Sequence, residues 1–416
     1  MKIAYIEPAG KGGMIHYAFQ LCRGLASRGA DVTLLTDQHY ELELLPAPFR
    51  VEPIMRLWDA RPAGSISKRW WASAARRVRR GWRAVRYYRQ WLRVVRRVSA
   101  LRPDIVLLGD IRFPFDLFAL MILRRRARFM ADICHNVHPF AASGGKGGGL
   151  FDRSARTLAF YRRIYHLFDA VFVHFERNRR EFTETFGLPE ERVAVIVHGN
   201  EAIFGELRRS GTSAQTIRKR LEIGPDEKVV LFFGLLSRYK GTDVLLEAFP
   251  RVHRETGARL VLAGFPSPEF DLAAQQQSTR VSGIEQAVRW VPEYIPTDEV
   301  AAWMEMASVA VFPYRDIYQS GALHVPHTFG VPIVATAIRA MQDVIDDEAS
   351  GLLVPPGDPG ALAGAIIRIL TDDALARRLG RRAAEDAQSK FAWETIAGII
   401  LDHAAALMRR HTRNLR

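Results

Sequence analysis

Between Arg61 and Pro103 the chain has no aspartate or glutamate, against fourteen lysines and arginines. That stretch by itself accounts for the net charge of +14 of all 416 residues, so the remainder is balanced and the excess serves a local partner. Balance elsewhere, and the lack of any RNA or DNA motif, argue against a general nucleic-acid binder. Cysteine is nearly absent. Cys22 and Cys134 stand far apart, which excludes a disulfide framework and suits a reducing compartment. Long apolar runs are missing too: FPFDLFALMIL is interrupted by Asp116 and falls short of the roughly 18 to 20 residues a spanning helix needs. The opening MKIAYIEPAG lacks the basic region and apolar core of an export signal, so a cytoplasmic location is expected. No histidine spacing resembles a metal cage, and no GxGxxG dinucleotide fingerprint occurs.

A chain of 416 residues exceeds one ordinary hydrophobic core, so two domains are expected. Strand-like and helical runs alternate in both halves, the pattern of parallel sheets flanked by helices. Strands are predicted near Ile3–Ile6, Asp31–Leu35, Asp104–Leu108, Phe129–Cys134, Ala170–His174 and Val193–Val197. The second half repeats the design at Val229–Phe233, Arg259–Ala263, Ala287–Val291, Val309–Phe312, Ile333–Ala335 and Gly351–Val354. The polar stretch Asn200–Pro225 is the expected connection, giving domains 1–200 and 201–392 with a final helix 393–416 that could pack back on the first domain. SGGKGGGL, Ser143–Leu150, reads as a mobile loop.

The most informative segment is VVLFFGLLSRYKG, where a strand breaks at Gly234 and delivers Arg238 and Lys240 just before a helix. Cations at a helix start oppose its dipole, and a bound diphosphate would remove that conflict, so the turn is expected to hold a nucleotide. A second strand, turn and helix, VFPYRDIYQSGALHVPHTFGVPIVAT, carries Ser320 and Gly321 at its turn. Near the N-terminus Gly12 and Gly13 lie between strand and helix, either a plain tight turn or a loop open to ligand. His135 follows a predicted strand at its carboxyl end, the edge where open α/β sheets bind ligands, and could equally be a packed loop residue.

The basic stretch 61–103 has an apolar seam at helical spacing, Trp71, Ala75, Val78, Trp82, Val85, Tyr88, Leu92, Val95 and Val98, with arginines on its flanks. Such a helix suits the headgroup region of an anionic bilayer, with Trp71, Arg79, Trp82, Arg83, Arg86 and Trp91 as contacts. Packing on the protein's own core and contact with nucleic acid are the alternatives.

Taken together, the Gly12-Gly13 loop, CHN at Cys134–Asn136, VIVHGN at Val195–Asn200, FFGLLSRYKG, PEYIP at Pro292–Pro296, PYRDIYQSG, GVPIVAT and SGLLVPPGD resemble the retaining GT-B glycosyltransferases of family 4 over nearly the whole chain. That resemblance implies two Rossmann-like, doubly wound α/β domains facing a central cleft. It implies a nucleotide-sugar donor, no metal or other cofactor, and a membrane-associated glycan acceptor in bacterial polysaccharide or glycolipid synthesis, at the inner face of the plasma membrane. Lys240 matches the lysine on the donor diphosphate; Arg238 takes the role of an arginine the family places earlier, where this chain has Leu235. His135 matches the histidine near the donor sugar, and Gly13 the glycine beside the diphosphate. Tyr294 and Ile295 fall where the nucleobase is held. The pattern departs at two glutamates, whose positions are occupied by Ile317 and Val325. Asp316, Gln319, Ser320 and His324 are the polar groups available instead. A non-catalytic nucleotide-sugar binder, or a GT-B phosphorylase or epimerase, remains open on this sequence.

Overall fold

Runs such as IVLL, AVFV, VAVF and IVAT are buried along their whole length, as strands covered by helices on both faces must be. A computed structural model of the chain describes residues 1–56, 71–109, 111, 116–137, 155–209, 211–317 and 319–414, the side chains of 71–84, 155–156 and 411–414 excepted. The basic residues 61–70, the side chains of Trp71, Arg79, Trp82 and Arg83, and the glycine-dense Ser143–Leu150 therefore lie outside the described residues.

The described residues divide into two compact units, one containing 1–137, 155–197 and 393–414, the other 198–392. In the first, β1 (Lys2–Ile6), β2 (Asp31–Asp37), β3 (Arg50–Met55), β4 (Ile105–Leu108), β5 (Phe129–Cys134), β6 (Ala170–Val173) and β7 (Val193–Val195) form one parallel sheet in the order β3-β2-β1-β4-β5-β6-β7. In the second, β8 (Val229–Phe233), β9 (Arg259–Ala263), β10 (Val288–Val291), β11 (Val309–Phe312), β12 (Ile333–Thr336) and β13 (Leu352–Val354) form another, ordered β10-β9-β8-β11-β12-β13. Strand order reverses between β1 and β4 and between β8 and β11, which opens a crevice at the carboxyl ends of those strands.

The alternation predicts every strand of both sheets except β3, within two residues. RVEPIM escapes because it is an edge strand carrying charge and a proline, with only Met55 buried. The units part between Val197 and His198, and Asn200–Pro225 contains the short helices Ile203–Glu206 and Ala214–Arg220.

The helix Trp71–Leu101 buries only part of the seam read off the sequence. Val85 and Leu92 are exposed and Val95 and Val98 are buried, while Tyr87, Trp91, Val94 and Leu101, outside the seam, also face inward. Asp116 sets that rotation: its carboxylate is buried and accepts from the Tyr87 hydroxyl at 2.7 Å and the Trp91 indole at 3.2 Å. Trp91, expected at a membrane, is instead a buried donor to this carboxylate.

The stretch Asp373–Arg410 is long and apolar enough to cross a membrane. It is two helices, Asp373–Gln388 and Trp393–Asn414, and the second buries Ile396, Ala397, Ile400 and Ala404 while packing on the helix Gly13–Ser27. Contact is close there, since a Cβ on Gly24 would lie 2.5 Å from the Trp393 carbonyl oxygen.

Candidate active site

After β8 the backbone turns at Gly234 and follows the loop after β9 for several residues. Gly234 donates to Ala263 at 2.9 Å, Leu236 to Phe265 at 2.9 Å, and Ser267 returns a bond to Leu236 at 2.8 Å. The two loops touch so closely that a Cβ on Gly264 would lie 1.8 Å from the Gly234 carbonyl oxygen. The turn then tightens into a 3-10 helix, Arg238–Lys240, and Gly241, at φ +67°, starts the helix Thr242–Thr256. Across the switch point, a Cβ on Gly241 would lie 1.9 Å from the Pro313 carbonyl oxygen. Loops from both sides of the strand-order reversal thus converge on the backbone around Lys240.

Lys240 is buried, with its ammonium 4.9 Å from the centre of the Tyr314 ring and 3.1 Å from where a Cβ on Gly234 would stand. Burial pushes its pKa down to about 8. Among the described residues no carboxylate lies within 4.0 Å of it to offset that cost. Arg238 differs: its side chain is exposed, and its carbonyl accepts from Arg315 at 2.9 Å. Arg315 also holds Asp243 with two bonds of 2.8 and 2.6 Å, and its amide donates to the Tyr239 carbonyl at 2.8 Å. This clamp from the loop after β11 escaped the sequence analysis, because its partners are seventy or more residues away.

Of the other residues predicted around the second turn, Asp316 is exposed, Gln319 and Ser320 are half-buried, and Ser320 precedes the helix Gly321–Thr328. His324 is buried between the His198 ring, stacked at 4.7 Å, and the Phe391 ring at 4.8 Å. A Cβ on Gly321 would lie 3.2 Å from the His198 Nε2. Val325 is in the core, and Ile317 is half-buried. Beyond β10, Tyr294 is exposed and Ile295 buried.

Burial pushes both His198 and His327 down to about 4, against hydrogen bonds to backbone carbonyls that would raise them. The unfolded chain takes up protons near 6.5 that the folded unit refuses. Stability from these two groups is therefore present above pH 6.5 and lost as pH falls toward 4. Thermal melts should descend across that window; a flat profile would contradict neutral, buried imidazoles.

In the first unit, Gly12 adopts φ +79° at the start of the helix Gly13–Ser27, and a Cβ on either Gly12 or Gly13 would meet nothing within 4 Å. The loop is open to an approaching ligand. Its Gly12 amide is engaged by the Glu41 carboxylate at 2.5 Å, which also pairs with His16 at 2.7 Å. His135 is half-buried, and its Nδ1 lies 3.1 Å from the Nε2 of His174. The Tyr17 ring stands edge-on to His135 at 4.7 Å. Among the described residues, no three His, Cys, Asp or Glu side chains are arranged to hold a metal.

Two parallel sheets, each with a strand-order reversal and glycine-bearing loops, the second with a buried cation at its reversal, define a two-unit α/β architecture. Residues 12–199 match the model described as a glycosyl transferase 4-like domain, and 227–372 the one described as glycosyl transferases group 1. A D-inositol 3-phosphate glycosyltransferase of a Nocardioides species is 26% identical over 94% of this chain and 84% of its own length. That of Streptomyces bingchenggensis is 29% identical over 69% of this chain; an uncharacterized glycosyltransferase of Methanocaldococcus jannaschii is 25% identical over 61%. In these last two the match spans 64% of the relative, just under two thirds. Sucrose-phosphate synthase from Thermosynechococcus elongatus superposes with TM-score 0.68 at 22% identity, over 98% of this chain and 99% of that one. Anabaena HepE, solved with UDP and glucose, gives 0.69 at 18% identity over 98% and 100%. The chain belongs to the family of GT4-like glycosyltransferases with the GT-B fold.

Proposed function

We propose that the chain transfers a glycosyl group from a nucleoside-diphosphate sugar to an acceptor hydroxyl, with retention at the anomeric carbon. The observation that carries this reading is Lys240, a buried ammonium at a switch-point turn with no carboxylate within 4.0 Å among the described residues. As the bond from the anomeric carbon to the diphosphate oxygen breaks, its electrons stay on the diphosphate, and a preorganised cation stabilises that charge. The exposed Arg238 can swing onto the same group. The acceptor oxygen attacks from the face the leaving group departs, and its proton passes to the diphosphate, so a carboxylate base is not required. These cations replace a metal ion in the scheme; unaltered turnover in EDTA is its check. His135 is assigned to the donor sugar by resemblance.

Nucleoside diphosphates and their sugars, UDP first because a solved neighbour carries it, should raise the melting temperature. Ligand at 100 times its dissociation constant adds about 2.7 kcal/mol. Since binding keeps Lys240 charged, affinity should fall above pH 8, approaching tenfold per pH unit, with proton uptake measurable by calorimetry in buffers of different ionisation enthalpy. Binding without transfer to any acceptor would favour the non-catalytic alternative raised by Ile317 and Val325.

The acceptor in this reading is a lipid-linked glycan at the inner face of a bacterial plasma membrane. Three helices packed in succession, Trp71–Leu101, Leu117–Arg124 and Ala155–Tyr165, contain no acidic residue. They expose Val85, Leu92, Phe118, Met121, Ile122 and Phe160. Arginines amid exposed apolar side chains suit an anionic bilayer, with each basic residue near the surface worth roughly 1 kcal/mol. Arg86→Glu, Arg89→Glu and Arg93→Glu together should lower partitioning onto phosphatidylglycerol vesicles by about 10²-fold or more. Unchanged co-sedimentation would remove the membrane from the scheme.

A further inference from the structure

β5 and β6 lie side by side with Cys134 opposite Val173, so the next residue of each strand, His135 and His174, emerges at the same level of the sheet's carboxyl edge. Their rings are 5.0 Å apart, and His135 Nδ1 is 3.1 Å from His174 Nε2. His174 has no exposed surface, whereas His135 is half-buried. Tyr17, from the helix that follows the glycine loop, stands edge-on to both rings, at 4.7 and 5.8 Å, and to Trp393 at 4.8 Å. The inner ring is therefore fixed, and the outer one is held by it.

A hydrogen bond between two neutral imidazoles needs one N–H and one bare nitrogen, so the pair cannot choose its tautomers independently. The Nε2–H form is the commoner tautomer of neutral histidine. With both rings in that form the bond is satisfied: His174 Nε2–H donates to His135 Nδ1, and the remaining N–H of His135 sits on its Nε2, an atom buried in the unliganded chain. Adding a proton to both rings would place two donors and two positive charges face to face.

We propose that His174 is a positioning residue that fixes His135 as an Nε2–H hydrogen-bond donor toward an oxygen of the bound donor sugar. The sugar as its target rests on the function proposed above; the tautomer does not. The family resemblance pointed to His135 alone, and His174 is identified only by the register of β5 on β6.

The test is a two-bond ¹H–¹⁵N spectrum of unliganded, ¹⁵N-histidine-labelled protein at neutral pH, with the His135 resonances identified by their loss in His135→Ala. The wild type should show His135 protonated at Nε2, with Nδ1 at the shift of a bare nitrogen accepting a hydrogen bond. His174→Phe, which keeps a ring and removes the donor, should shift that Nδ1 resonance toward the average of two exchanging tautomers. His174→Gln, whose amide can donate, should restore it. A proton on His135 Nδ1 in the wild type overturns the proposal without any variant, as does an unchanged His135 spectrum in His174→Phe. Because no ligand is present, failure here is separate from failure of the glycosyl-transfer reading, which loss of transfer in the nucleotide-sugar assays would show.

Discussion

Lys240→Ala is expected to lower turnover at saturating donor by about 10²- to 10³-fold, the range seen when one preorganised donor to a developing charge is removed. Two features set that size. The ammonium is buried beside Tyr314, and burial pushes its pKa down with no carboxylate within 4.0 Å among the described residues. In the mechanism proposed above, the diphosphate supplies the compensating anion in the ground state and most strongly at the transition state, so the loss should appear in turnover as well as in donor affinity. Lys240→Arg should not rescue fully, since a planar guanidinium presents its donors in a different geometry from a compact ammonium. Removing the buried cation should also leave the apo protein no less stable, and Lys240→Met should melt at or above the wild-type temperature. Near-normal turnover in Lys240→Ala would take the residue out of the mechanism.

Gly264→Ala should be the most destabilising small substitution in the second unit. Its φ of +150° is open to glycine and strained for any other residue, and the added Cβ would lie 1.8 Å from the Gly234 carbonyl oxygen. Neither side can give easily, because the two loops are bonded to each other beyond the ends of β8 and β9. A loss of about 3 kcal/mol is expected, or roughly 6 to 12 °C in the melting of that unit. Gly257→Ala separates strain from crowding: it shares a positive φ, +67°, but its Cβ would meet nothing within 4 Å. It should cost only about 1 kcal/mol. Equal effects of the two substitutions would mean that loop contact contributes nothing. Where Gly264→Ala folds, the Gly234 turn should be displaced and nucleotide-induced stabilisation reduced.

Much of the architecture was legible in the chain because a parallel strand buried on both faces must be apolar throughout, and such runs are bounded by glycine and polar turns. That is why β8 and β11 and their turns could be placed by reading alone, while β3, half-exposed and proline-bearing, could not. The arginine-rich helix shows the limit of periodicity. Two adjacent rows on its surface carry apolar side chains, so spacing could not say which row faces inward, and Asp116, just before the helix Leu117–Arg124, decided it. The same limit hid Arg315, which has meaning only through Asp243 and the Arg238 carbonyl, and Glu41, which reaches back to Gly12. Reading Arg238 and Lys240 as an equivalent pair also missed a distinction that exposure makes plain.

By itself the sequence determined that two parallel α/β sheets form, where their turns fall, and that a cation waits at one of them, since each of these depends on residues close together along the chain. Burial of Lys240, exposure of Arg238, rotation of the basic helix and the pairing of His135 with His174 were decided only by tertiary structure. Each depends on which atoms from distant segments share the same few ångströms, where desolvation and steric exclusion act with no regard to separation in sequence.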